Sequence, residues 1–181
     1  MFHVRIDSPP WGPNPDLASF DAALCSCGSK QLDISMLQFP LENDNDHFTR
    51  DGQLAFSDSV ANAFAKDFSQ KNPDNSPLLV IADSTVDFHN WSDGEWTGWA
   101  SSQLVRAFGN RHIVVDAVCG SGFIARARTG EHFHNRLSTH LRNGFRGSVL
   151  LIGGWNDERT GRISDTISSI HRCGALMKRY A

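Results

Sequence analysis

A serine, a histidine and an asparagine stand just beyond apolar stretches of this chain. Ser84 follows one apolar run, Asn156 follows another, and His47 comes shortly after Asp44 in a polar segment. A serine hydroxyl attacks a carbonyl carbon when an imidazole takes its proton, a carboxylate orients that imidazole and donors stabilise the oxyanion. These residue types therefore predict acyl transfer through a serine nucleophile. His47 precedes Ser84, but such sites are defined by geometry and occur in several chain orders.

Five short apolar runs are candidates for the strands that would position these residues. The runs are 2–6, 34–39, 78–82, 112–118 and 148–152. Their length and β-branched content indicate buried parallel strands. Ser84 follows the third run, Gly122 the fourth and Asn156 the fifth, whereas His47 lies in the segment after the second. One edge of one sheet is therefore expected to bring them together.

Five amphipathic stretches between these runs predict helices. Their apolar residues fall within 17–24, 54–68, 99–108, 133–141 and 163–177. Asn14 followed by Pro15 predicts the start of the first helix, and Gly109 and Gly144 predict the ends of the third and fourth. Because strands and helices alternate, we expect a three-layer α/β/α sandwich around a central five-stranded parallel sheet.

Composition narrows the class of protein. The chain has 181 residues, 40% of them hydrophobic, which predicts one globular domain with a sizeable core. A net charge of -3 without basic clusters argues against a nucleic-acid partner. No segment approaches a membrane span or a secretory signal, which predicts a soluble, cytoplasmic protein. The four cysteines lack metal-binding or disulfide spacing and predict free thiols in a reducing compartment.

Four segments resemble the motif blocks of the SGNH (GDSL-type) hydrolases. They are 82–85 (Ala-Asp-Ser-Thr), 121–122 (Ser-Gly), 154–157 (Gly-Trp-Asn-Asp) and 44–47 (Asp-Asn-Asp-His). The resemblance implies that Ser84 is the nucleophile, His47 the general base and then acid, and Asp44 the residue that orients His47. It also implies an oxyanion hole formed by the N–H groups of Ser84 and Gly122 and the amide of Asn156. One departure is Ala82, where the family usually has glycine.

These blocks occur here in rotated order, as in a circular permutant of the flavodoxin-like SGNH fold. Residues 1–68 correspond to the usual carboxyl-terminal part, and residues 78–181 correspond to the usual amino-terminal part. The polar segment 69–77, which contains two prolines, would bridge the original termini. The new ends would fall between the last helix and the first strand.

The resemblance implies an esterase with no metal or organic cofactor. The expected substrates are small-molecule or glycan esters, with short acyl or acetyl groups preferred. Trp91, Trp96 and Trp155 lie near the proposed site in sequence and are candidates to shape an acyl or glycan pocket. The remaining histidines considered as ligands are predicted to be surface or packing residues, namely His89, His112, His132, His134, His140 and His171.

Each candidate also has a simpler structural interpretation. Ser84 could be an ordinary turn or cap residue, the segment 44–47 a solvated loop, and 153–157 a plain strand-to-helix turn. The conjunction of four blocks at strand ends favours chemistry. A noncatalytic binding or scaffold module on the same fold remains an alternative, because a small misplacement would preserve the residues and abolish the rate.

A further alternative is a methyltransferase that uses S-adenosylmethionine. The segment 114–123 resembles the first motif of those enzymes, and a loose G-x-G-x-x-A pattern runs from Gly120 to Ala125. However, Val118 stands where that motif prefers glycine, and no clear acidic residue closes a following strand. This hypothesis also leaves Ser84, Asn156 and His47 unexplained.

Overall fold

The protein is built on one five-stranded sheet in which every described pairing is parallel. A computed structural model describes residues 1–5, 15–33, 48–68, 76–86, 99–109, 112–127 and 129–180. The strands are β1 (Phe2–Arg5), β2 (Lys30–Asp33), β3 (Leu78–Ala82), β4 (Ile113–Ala117) and β5 (Ser148–Ile152). Their order across the sheet is β2-β1-β5-β3-β4. The most apolar strand, β3, therefore lies between β5 and β4.

Four of the five predicted strands are confirmed, two of them with the predicted bounds. The fifth, a strand at 34–39, stays a prediction. The strand that pairs with β1 is Lys30–Asp33, and residues 34–39 lie outside the described residues. Only Leu32 in this strand is a buried apolar residue, because β2 is at the edge of the sheet and pairs on one side.

All five predicted helices are present, and a short sixth was not predicted. They are α1 (Pro15–Ser26), α2 (Arg50–Phe68), α3 (Trp99–Ala107), α4 (Phe133–Arg142), α5 (Trp155–Glu158) and α6 (Ile163–Tyr180). The first begins at Pro15 as predicted. Gly109 and Gly144 follow α3 and α4 with φ of 63° and 90°, a left-handed conformation that ends a helix at little cost for glycine.

The core is divided between the two faces of the sheet. Along β3, Leu78 and Val80 pack against α2 and α3, whereas Leu79 and Ile81 pack against α1, α4 and α6. All four side chains have no exposed surface. This alternation follows from the two-residue period of a strand, and a strand apolar on both faces must be covered on both. The predicted α/β architecture with helices on both faces of a parallel sheet is therefore confirmed.

The register of the sheet brings three loops to one edge. Ala82, the last residue of β3, pairs with Ile152 of β5 and with Ala117 of β4. The segments that follow these strands therefore start side by side. In open parallel sheets, ligands bind at this carboxyl edge.

Two further sequence predictions concern the cysteines and membrane helices. The four cysteines form no disulfide. Among the described residues, no helix combines the length and the apolar character needed to cross a membrane. Of the predicted connector 69–77, the structure describes Ser76 and Pro77 alone.

Candidate active site

Ser84 lies in a tight turn directly after β3, and its neighbours hold that turn. The N–H of Asp83 donates to the carbonyl of Ile152 at 3.3 Å, and the N–H of Val86 donates to the carbonyl of Asp83 at 3.2 Å. On the α2 side, the buried Gln53 amide donates to the carbonyl of Thr85. Ser84 is partly exposed between these buried neighbours. The turn therefore presents a hydroxyl on a backbone fixed from both sides.

The carboxylate of Asp83 organises the same turn from beneath. Its Oδ1 accepts hydrogen bonds from the N–H of Thr85 at 2.9 Å and from the Thr85 hydroxyl at 2.6 Å. The residue is 1% exposed. Burial raises the pKa of Asp83 to about 6, although the hydrogen bonds from Thr85 oppose this shift. Asp83 is therefore neutral in mildly acidic solution and ionised near neutral pH.

The raised pKa of Asp83 predicts a pH dependence of stability. The folded chain holds a proton on Asp83 up to about pH 6, whereas the unfolded chain loses it near 3.8. Between these two pH values the folded state binds more protons than the unfolded state, so the free energy of unfolding falls as the pH rises. The contribution of protonated Asp83 to stability is complete below pH 4 and is lost as the pH rises through 6. A shift of this size corresponds to about 3 kcal/mol. In urea unfolding, the stability of wild type relative to Asp83→Asn should fall by this amount between pH 4 and 7; a difference independent of pH would contradict the assignment.

Asn156 reaches the Ser84 turn from the segment after β5. It lies in α5, and its Nδ2 donates to the carbonyl of Ser121 at 2.9 Å and is 3.4 Å from Oδ2 of Asp83. The amide therefore touches the segment after β4 and the residue before Ser84. The structure thus brings the Ser84, Ser121 and Asn156 segments together at one edge of the sheet.

Gly122 is held in place by Asp157, which follows Asn156. The buried carboxylate of Asp157 accepts the N–H groups of Phe123, Ile124 and Ala125 at 2.7–2.8 Å. A Cβ at position 122 would lie 2.3 Å from Oδ2 of Asp157, so the close approach requires glycine. The N–H of Gly122 itself donates to the carbonyl of Ala125 at 3.0 Å. In this conformation the predicted oxyanion donor at Gly122 is therefore already engaged.

A cleft opens above the Ser84 turn. It is lined by Phe48, Asp83, Ser84, Thr85, Trp155, Asn156 and Arg159. Ser84, Asn156 and Trp155 were predicted site residues, and all three lie in its wall. Asp44, His47, Trp91 and Trp96 lie outside the described residues, so their predicted roles stay predictions. Gly122 does not line the cleft; it follows Ser121, whose carbonyl accepts a hydrogen bond from the Asn156 amide.

Three buried charged residues hold the segments of the site in place, and this role was not predicted from the sequence: Asp83, Asp157 and Arg136. A sequence signal existed for each. Asp83 and Asp157 flank Ser84 and Asn156, and Arg136 stands between Phe133 and Leu137 on the apolar face of α4. A charge on an apolar face is costly unless it is paired, so it indicates a buried partner.

The glycine-rich loop after β4 bears on the methyltransferase hypothesis. In such sites, loop N–H groups point at the ligand. Here, the N–H groups of Phe123, Ile124 and Ala125 are all directed at the carboxylate of Asp157. These donors are therefore used within the protein. Within the described residues, no cluster of three or more His, Cys, Asp or Glu side chains is arranged to hold a metal ion.

Comparisons of the chain with protein-family models, with curated proteins and with solved structures gave no match. The resemblance to SGNH hydrolases therefore rests on the residues of this chain alone.

Proposed function

We propose that the protein is a serine ester hydrolase of the SGNH type. The observation that carries the proposal is that Ser84 and Asn156 line one cleft at the carboxyl ends of the adjacent strands β3 and β5. Ser84 is the nucleophile, His47 the base that takes its proton, and Asp44 the residue that orients His47. No metal or organic cofactor takes part in this scheme.

The reaction is acyl transfer to water in two steps. In the first, the Oγ of Ser84 bonds to the ester carbonyl carbon, its proton passes to His47, and the alcohol leaves with that proton. In the second, water gives a proton to His47 and attacks the acyl-serine, and the carboxylic acid leaves as the serine hydroxyl is restored. Each step develops charge on the carbonyl oxygen, which needs donors nearby.

The structure supports a role for the Asn156 amide as one such donor. Its contact to Oδ2 of Asp83 is long at 3.4 Å, whereas its bond to the Ser121 carbonyl is 2.9 Å. The hydrogen directed at Asp83 is therefore the one available to a substrate oxygen. A contribution from Gly122 requires that its bond to Ala125 break when the substrate binds. The proposed oxyanion hole is completed by the N–H of Ser84.

Support for His47 comes from the residue that follows it. Phe48 is buried, lines the same cleft as Ser84, and packs on Phe56 of α2 with ring centroids 5.1 Å apart. Phe48, the first described residue after His47, therefore lies in the cleft wall. Phe48 and Trp155 give the cleft aromatic walls, which suit a short acyl group or the apolar face of a sugar ester.

The strand order supports the proposed circular permutation. When strands are counted from β3 instead of β1, the order β2-β1-β5-β3-β4, read from β4, becomes 2-1-3-4-5. This is the order of flavodoxin-like doubly wound sheets, in which ligands bind at a switch point beside the first strand. Ser84 follows that strand. The first block of the family would then follow the first strand, as the resemblance implies.

Covalent labelling tests the proposal. A fluorophosphonate probe phosphonylates an activated serine with loss of fluoride, so we expect stoichiometric labelling of the full chain and a modified peptide that maps to Ser84. Ser84→Ala should remove the label. Ser168→Ala is a matched control, because Ser168 is an exposed serine on α6 that does not line the cleft.

The labelling experiment also separates the alternatives. A folded wild-type protein that takes up no label and hydrolyses no member of a panel of esters, thioesters and acetylated sugars would overturn the proposal and favour a noncatalytic module. Calorimetric binding of S-adenosylmethionine would favour the methyltransferase hypothesis.

A further inference from the structure

An arginine is buried in the interior beneath the Ser84 turn. Arg136 lies on α4 among the apolar residues Phe133 and Leu137, and only 3% of it is exposed. Arginine is almost never buried to this extent unless its guanidinium is paired. Its partners therefore indicate what it does.

The guanidinium of Arg136 connects the carboxyl ends of β3 and β4 with the loop that joins β4 to α4. Nη2 donates to the carbonyl of Ala82 at 2.9 Å and to the hydroxyl of Ser121 at 2.7 Å. Nη1 donates to the carbonyl of Asp116 at 2.7 Å and to its Oδ1 at 2.9 Å. Oδ2 of Asp116 in turn contacts Nε2 of His140 at 2.8 Å. The guanidinium thus binds four acceptors from one rigid, planar group, which a lysine ammonium could not do.

Two of these acceptors lead directly to the proposed catalytic groups. Ala82 is the last residue of β3, and its carbonyl precedes the turn that holds Ser84. Ser121 donates from its hydroxyl to Val118 at 2.6 Å, and its carbonyl accepts the amide of Asn156. Arg136 therefore lies at the junction between the nucleophile turn and the segment that orients the proposed oxyanion donor.

We propose that Arg136 is a positioning residue that sets the distance between the Ser84 hydroxyl and the Asn156 amide. This inference rests on the proposed esterase function. Since Arg136 is beneath the turn and absent from the cleft wall, it acts through Ala82 and Ser121 and not on the substrate. Misplacement of reacting groups by 1 Å costs about 100-fold in rate.

The charge of Arg136 also reaches the turn. Burial raises the pKa of Asp83, and the nearby guanidinium of Arg136 acts in the opposite direction. The hydrogen-bonding fork and the charge can be separated by substitution, because Arg136→Lys keeps the charge and Arg136→Met removes both.

Kinetics of these two variants test the inference. We expect kcat for para-nitrophenyl acetate to fall by about 30- to 100-fold in both, with KM within about twofold of wild type, since ground-state binding in the cleft is kept. Arg106→Met is the matched control: Arg106 is an exposed arginine on α3 and its loss should leave kcat unchanged. An Arg136→Lys variant that folds and keeps the wild-type kcat would overturn the inference.

Hydrogen exchange supplies a readout that does not depend on activity. In Arg136→Lys, exchange of the backbone N–H groups of residues 83–86 should accelerate at least about tenfold, because their strand end has lost its anchor. The Arg106→Met control should show wild-type exchange there. Unchanged exchange in Arg136→Lys would refute the positioning role, whether or not the protein is an esterase.

A third variant, at Ser121, covers the case in which the Arg136 variants do not fold. Ser121→Ala removes one acceptor of the fork and leaves Arg136 its three other bonds, so kcat should fall by about fivefold with KM unchanged. A folded Ser121→Ala protein with wild-type kcat and wild-type exchange would contradict the inference. Wild-type protein that neither hydrolyses esters nor labels at Ser84 would refute the proposed function instead, and the exchange data would still decide the role of Arg136.

Discussion

Ser84→Ala is expected to lower kcat/KM for para-nitrophenyl acetate by at least about 10⁴-fold, because it removes the proposed nucleophile. The Thr85 hydroxyl in the same cleft is buried and donates to Asp83, so it does not replace Ser84. The substitution should not disturb the fold. The turn is held by bonds of Asp83, Thr85 and the backbone, none of which uses the Ser84 hydroxyl. Initial rates with purified wild type, Ser84→Ala and Ser168→Ala check the prediction. A Ser84→Ala protein that keeps more than about a tenth of the wild-type activity would contradict it.

The same assay measures the contribution of His47. A nucleophile and its base act as a unit, so His47→Ala should lose about as much activity as Ser84→Ala, and the double variant should lose little more. Asn156→Ala should cost less, about 100- to 1000-fold, as expected for one oxyanion donor. Independent, additive losses for Ser84→Ala and His47→Ala would show that the two residues do not belong to one site.

The central strands were predictable because they are buried on both faces. The runs that form β3 and β5 are apolar throughout, apart from Ser148 at the start of β5, since one half of each strand faces α2 and α3 and the other half faces the remaining long helices. Strand β2 lies at the sheet edge and contributes only Leu32 to the core. Its other residues are Lys, Gln and Asp, so it does not form an apolar run in the sequence. The short helix α5 has too few residues to show a helical period.

The site was predictable to the extent that it depends on strand ends. Ser84 and Asn156 share a cleft because β3 and β5 are adjacent and parallel, and chain alternation already implied that their carboxyl ends meet at one edge. The interactions beneath the cleft were not predictable. Arg136 binds Ala82, and Asp157 binds the N–H groups after Gly122, across separations of 54 and about 30 residues. No local sequence pattern specifies which polar side chains will meet when they are so far apart in the sequence.

Loss of the buried Asp157 carboxylate should cost a large part of the stability. Asp157 has no exposed surface, and burial raises the pKa of its carboxyl, whereas the N–H groups of Phe123, Ile124 and Ala125 oppose that shift. Asp157→Ala would leave three N–H donors, one buried and two partly buried, without their acceptor and would open a void beside Gly122. Each unsatisfied donor costs about 1–3 kcal/mol, so we expect a loss of roughly 3–5 kcal/mol after partial relaxation.

Thermal and urea unfolding measure this loss. A change of that size should lower the Tm by about 10–15 °C in a chain of this length. Asp157→Asn should cost less, because its amide oxygen still accepts one or two of the N–H groups. Asp165→Ala is the matched control: Asp165 is half exposed and pairs with Arg162 at the surface, an interaction worth no more than about 1 kcal/mol. A free energy of unfolding for Asp157→Ala within about 1 kcal/mol of the wild-type value would contradict this prediction. It would mean that the Asp157 carboxylate does not hold the loop after β4, and that the geometry of Gly122 has another cause.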